Sequence, residues 1–65
     1  MEIILNGALR SIENNFSIEN LIKESGLIGK YAIEVNRNII PKSQYASTKI
    51  KSGDKIEIVQ AIGGG

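Results

Sequence analysis

The sequence predicts an α+β fold: a mixed sheet of about five strands packed on one main helix. Three observations carry this. One segment, "FSIENLIKESGL", has helical periodicity and cap residues at both ends. Short apolar runs of strand character are separated by Asn-Gly, Asn-Arg-Asn and Ser-Gly-Asp. The length of 65 residues holds one domain with a small core, since a chain of this size buries only roughly 60% of its unfolded surface.

The elements follow in order. "MEIILNG" alternates, with Met1, Ile3 and Leu5 on one face and Ile4 on the other. Asn6-Gly7 suits a two-residue hairpin turn, because both positions tolerate positive φ. A second strand is expected over about Ala8 to Glu13, with Leu9 and Ile12 on opposite faces unless a bulge intervenes. In the helix, Ser17 is the N-cap, Glu19 suits the dipole, and Ile18, Leu21 and Ile22 form an apolar stripe. Gly26 takes the left-handed C-terminal position, with Leu27 packing back on Ile22. At about nine residues this helix needs a sheet to lie on.

"YAIEVN" is a strand with Tyr31, Ile33 and Val35 on one face, and Asn36-Arg37-Asn38 turns into Ile39-Ile40. Pro41 cannot donate a ladder hydrogen bond and ends that strand or marks an edge. "KSQYASTKI" is irregular, anchored by Tyr45 and Ile50. Ser52-Gly53-Asp54 is a turn, and Asp54 is read as turn chemistry. In "KIEIVQAI", Ile56 and Ile58 face one way and Glu57, Val59 and Ala61 the other. The expected core is Ile3, Leu5, Ile18, Leu21, Ile22, Ile33, Val35, Ile56 and Ile58. One helix and one apolar face per strand pack economically when the sheet curls over the helix, with a right-handed crossover from the first hairpin to a parallel strand. This is a roll of the ubiquitin-like, β-grasp type, with residues 1–62 as the domain and 63–65 as a flexible glycine tail.

The composition excludes several function classes. The chain has no Cys and no His, which removes disulfides, the commonest metal ligand and Ser–His or Cys–His nucleophile pairs. Eight basic and seven acidic residues leave a net charge of +1, too balanced for a dedicated nucleic-acid binder. Phe16, Tyr31 and Tyr45 are its aromatics, too few for a base-stacking platform. No apolar run approaches the ~20 residues of a membrane span, and "MEIILNGALR" lacks the charged start and apolar core of a signal peptide. The expectation is a cytoplasmic domain that binds neither nucleic acid nor membrane, holds no metal and binds no cofactor of its own.

The last seven residues, "VQAIGGG", pass from an apolar strand into three glycines. Glycine costs the most backbone entropy to order, and the tail has no side chain to bury. It is either a fraying end or linker scar, or an arm whose C-terminal carboxylate on Gly65 is the functional group. Val59, Ala61 and Ile62, with Ile4 on the outer sheet face, are candidates for a docking patch. The plainer alternative is edge-strand or second-layer filling, because single exposed apolar residues are normal. Lys42, Lys49 and Lys51 are candidates to meet an acidic partner, or simply a solvated face.

The second half carries a resemblance. Val35-Asn36, an apolar residue before Pro41-Lys42, an aromatic at 45, Gly53-Asp54, the "IEIVQAI" strand and the terminal glycines are similar in order to the ThiS family, sulfur carriers of thiamin biosynthesis. "FSIENLI" also resembles the helix start of ubiquitin. Two departures concern the fit to partners: Tyr45 stands where the family more often has Trp, and Lys42 where it has Arg.

The resemblance implies a carrier without catalytic residues of its own. Gly65, presented on Gly63 and Gly64, would be adenylated by an E1-like enzyme that uses ATP. A sulfur donor such as a cysteine desulfurase would convert it to a thiocarboxylate, and thiazole synthase would take the sulfur. Three alternatives stand beside this: a carrier like the small subunit of molybdopterin synthase, a ubiquitin-like protein modifier joined through Gly65, and an interaction domain with an inert tail.

Overall fold

The structure, a computed structural model, describes residues 1–60 of the chain. Its elements are β1 (Glu2–Leu5), β2 (Ala8–Ser11), α1 (Ile18–Ser25), β3 (Tyr31–Val35), β4 (Asn38–Ile39), a 3-10 turn (Lys42–Gln44) and β5 (Lys55–Gln60). The five strands form one mixed sheet in the order β2-β1-β5-β3-β4. β5 is therefore central, parallel to β1 and antiparallel to β3. β3, the strand after the helix, runs in the direction of β2, with β1 and β5 between them. This is the expected β-grasp roll.

The first hairpin closes as its sequence requires. Asn6 at φ 50 and Gly7 at φ 82 make a two-residue turn, and the register runs unbroken from Leu5↔Ala8 to Glu2↔Ser11. There is no bulge in this pairing. Leu9 and Ile12 do fall on opposite faces: Leu9 is 66% exposed opposite Ile4, whereas Ile12 is buried. The second strand stops at Ser11 rather than Glu13. Ile12 still bonds to Met1 in both directions, at 2.9 and 2.7 Å, and the chain then turns through Asn14 and Asn15, the latter at φ 66.

α1 starts where side chains and a neighbouring loop supply acceptors for its first amides. Ser17 Oγ accepts the Asn20 N–H, and Asn20 Oδ1 accepts the Ser17 N–H, a capping box built with Asn. The Ile18 and Glu19 amides donate to the carbonyls of Thr48 and Tyr45. The irregular segment after the 3-10 turn thus satisfies the helix start that would otherwise be left unpaired. Gly26, at φ 68 and ψ 28, ends the helix in the left-handed conformation.

The buried core is Ile3, Ile12, Ile18, Leu21, Ile22, Ile33, Ile50 and Ile56. Leu5, Val35 and Ile58, expected inside it, are only partly buried at its margin. The cause is helix length: eight residues extend about 12 Å, too short to cover a five-stranded sheet. Ile12 and Ile50, from outside the regular elements, fill the remainder.

Candidate functional site

The base of the glycine tail is built around the end of β5. On one flank, β3 accompanies β5 from Val35↔Ile56 to Tyr31↔Gln60. On the other, β1 pairs only at Ile4↔Lys55 and Leu5↔Ile56 before it turns away. Asn6 continues the ladder: its backbone N–H donates to the Ile56 carbonyl at 2.9 Å, and its side-chain Oδ1 accepts the Ile58 N–H at 2.8 Å. The Gln60 amide donates to the Ile28 carbonyl at 3.3 Å, tying the strand end to the loop after α1. The expected site residues Ala61, Ile62, Gly63, Gly64 and Gly65, and the boundary between 62 and 63, lie outside the described residues.

Val59 is 56% exposed on the outer sheet face, opposite Ala32. Ile4 is half-buried on the same face, between Leu9 and Lys55. Lys55 is four residues before Val59 on β5, so the two candidate residues are on the order of 13 Å apart along the strand. Glu57 stands between them, directly opposite Glu34. The structure therefore brings Ile4 together with Leu9, and Val59 with Ala32, as separate apolar pairs on one face. Leu9 is a further surface residue of this face, and the Asn6-Gly7 turn alone fixes it opposite Ile4.

A second surface lies at the Val59 end of the sheet and includes Lys42 and Tyr45, two residues whose identity bears on the fit to partners. Tyr31 and Tyr45 stack with ring centroids 6.3 Å apart and planes 18° from parallel. They wall two adjoining grooves of about 340 and 380 Å³, which share Lys42 as well. The second groove also includes Lys30, and a further concavity links Lys30 and Tyr31 to Ala32, Val59 and Gln60. Burial pushes the Tyr45 hydroxyl above the usual tyrosine range, and nearby Tyr31 adds to the effect. No short-range signal announces this stack, because Tyr31 and Tyr45 meet only once the segment after the 3-10 turn docks on the start of α1.

The polar chemistry elsewhere is structural. Asp54 accepts the Lys51 N–H at 2.8 Å and the Asn36 amide at 3.0 Å, and Asn36 Oδ1 accepts the Lys55 N–H at 3.0 Å. Asp54 thus shapes the turn into β5, as expected. Among the described residues, no group of three or more His, Cys, Asp or Glu is placed to hold a metal ion. No helix among them is long and apolar enough to cross a membrane.

Similarity to known proteins covers the whole chain. It is 42% identical over 66 aligned positions to a thiazole synthase of Paramagnetospirillum magneticum and 33% identical over 66 to one of Magnetococcus marinus. In each case all of this chain matches 20% of the relative, so the chain spans about a fifth of their length. Its fold is that of a thiamine biosynthesis protein (ThiS) of Geobacter metallireducens, with a TM-score of 0.85, 20% identity and full coverage of both chains. The model of the ThiS family matches residues 3–65, from the first strand through the three glycines, and the chain belongs to that family.

Proposed function

We propose that this chain is a sulfur carrier for thiazole formation in thiamin biosynthesis, with Gly65 as the group that carries the sulfur. The observation that supports this most is the family match over residues 3–65, which includes the glycine tail as well as the fold. Thiazole synthase relatives agree with it, as what this chain resembles.

A carboxylate is a poor acyl electrophile. An E1-like enzyme transfers AMP from ATP to the Gly65 carboxylate and releases pyrophosphate. The terminal sulfur of a persulfide, held on a donor such as a cysteine desulfurase, then attacks the acyl-adenylate and expels AMP to give an acyl disulfide. Two reducing thiols, themselves oxidised to a disulfide, cleave the S–S bond to leave the thiocarboxylate on Gly65 and the free donor cysteine. Thiazole synthase is the acceptor of that sulfur. The carrier's own contribution is presentation and recognition: with no His or Cys in the chain, acid–base and thiol chemistry come from its partners. Glycine fits this role because a backbone without Cβ enters a narrow channel. Residues 63–65 act as the arm, Ile4, Val59, Ala61 and Ile62 as partner contacts, and the setting is the cytoplasm.

The chemistry requires a free carboxylate on Gly65. Where the unit is followed by further chain, as a unit one-fifth the length of its relatives permits, the carboxylate must first be released. The test is intact-protein mass spectrometry after incubation with the cognate adenylating enzyme, ATP and a sulfur donor. The expected result is a gain equal to exchanging one oxygen for sulfur, located on Gly65 by fragmentation. An unchanged mass together with Gly65 in an isopeptide bond overturns the proposal in favour of protein modification. Sulfur transfer to a molybdopterin precursor instead of thiazole assigns the other carrier branch.

A further inference from the structure

We infer that the surface formed by Lys30, Lys42 and the stacked Tyr31–Tyr45 pair docks an acidic surface of the enzyme that adenylates Gly65. This inference rests on the carrier function proposed above and adds to it a second contact surface, distinct from Ile4 and Val59, and the chemistry of its partner.

Three observations meet at this end of the sheet. First, Gly65 lies five residues beyond Gln60, so covalent geometry limits its distance from Gln60 to about 17 Å. An enzyme acting on Gly65 must therefore rest against the end of the sheet where β5 stops. Second, Tyr31, the register partner of Gln60, forms with Tyr45 one wall of the grooves there. The rings are half-buried and stacked, so they offer apolar area that loses little freedom on contact. Third, the charge left over at the rim is positive, because the one carboxylate lining the grooves among the described residues, Glu19, is paired with Lys23. Lys30 and Lys42 are exposed and lack a carboxylate within ion-pair distance among the described residues. The other lysine of the first groove, Lys23, is held by Glu19 at 3.3 Å.

Two free ammonium groups beside an aromatic wall match a partner with carboxylates at the mouth of its tail-binding channel. Such charges steer encounter and select the partner more than they add affinity. The opposite end of the sheet provides an internal comparison. Arg37 is also an exposed cation, but it sits in the turn after β3, beside the start of β5 and a full strand length from the tail.

The experiment measures ATP–pyrophosphate exchange by the cognate adenylating enzyme with full-length carrier variants, over a series of salt concentrations. For Lys30→Glu/Lys42→Glu, KM for the carrier rises about tenfold with kcat within about twofold of wild type, and its salt dependence flattens or reverses. Arg37→Glu, a charge reversal at the opposite end of the sheet, leaves KM within about twofold. Far-UV circular dichroism melts establish that each variant is folded. Should the Glu variant unfold, Lys30→Gln/Lys42→Gln replaces it, with an expected rise in KM of about threefold. A KM within about twofold of wild type in a folded Lys30/Lys42 variant overturns the inference, as does an equal effect of Arg37→Glu. If the wild-type carrier itself supports no exchange with a competent enzyme, the functional proposal fails, and this inference with it. Exchange by the wild type with an insensitive Lys30/Lys42 pair overturns only the docking surface.

Discussion

The side-chain carbonyl of Asn6 accepts the backbone N–H of Ile58, 52 residues away in sequence, at 2.8 Å. Asn36 does the same at the other end of the strand, accepting the Lys55 N–H at 3.0 Å. Both asparagines occupy left-handed turn positions, each at φ 50. Asn tolerates that conformation because its short amide bonds locally, and here the same amide doubles as a strand residue. The central strand is therefore pinned at two places by turns belonging to its neighbours.

Replacing Asn6 separates these two roles. Asn6→Gly keeps the turn conformation and loses the acceptor, and its expected cost is about 1 kcal/mol. Asn6→Ala adds the penalty of a Cβ at positive φ and costs roughly 1–2 kcal/mol more. Urea unfolding measures both, and hydrogen exchange accelerates at the Ile58 amide in each. Equal stability of the Gly variant and wild type shows that the bond contributes nothing.

Val59→Asp tests the outer face. Val59 is 56% exposed, so the fold tolerates the change and the melt stays close to that of wild type. Binding to the adenylating enzyme weakens by at least about tenfold, because an unpaired carboxylate is expensive to desolvate at an interface. Titration calorimetry on the folded variant measures it, and unchanged affinity removes Val59 from the contact surface.

Deleting Gly64 and Gly65 leaves the fold intact, since the buried core lies within residues 3–56. The same deletion abolishes pyrophosphate exchange. Normal exchange by the shortened chain is incompatible with activation at Gly65.

Glu34 and Glu57 face each other directly in the β3–β5 register. Like charges opposite one another destabilise a sheet, so Glu57→Gln raises stability by roughly 0.2–1 kcal/mol. The gain shrinks as salt is added, because the pair is near the surface and screened. Melts at low and high salt show whether the difference follows that pattern.

How far the sequence reveals this molecule depends on the range of the interaction concerned. Ser17, Gly26, Asn6-Gly7 and Gly53-Asp54 carry local signals, and each sits where those signals put it. The sheet's apolar alternation likewise places Ile3, Ile33 and Ile56 inside. What is missed comes from contacts between distant segments. Ile12 is buried although its strand ends before it, because the pairing with Met1 holds it over the core. The Tyr31–Tyr45 stack depends on how the segment after the 3-10 turn lies against the start of α1, which no periodicity encodes. The pairing of Val59 with Ala32, apart from Ile4, follows from strand register and strand order together, and only the first of these is local.

The placement of β5 also has a kinetic side. Among the described residues it is both the central strand of the sheet and the last in order, and its parallel partner β1 is the first. A chain that emerges N-terminus first can form the β1–β2 hairpin, α1 and the β3–β4 hairpin, but the two hairpins have nothing to join them. Closing nearly the whole chain into one loop must precede the reward from that strand, which makes the final step slow and cooperative. The segment that completes folding is the one that leads directly into the glycines. A chain in which β5 has not yet docked thus has no fixed strand from which the glycines could lead.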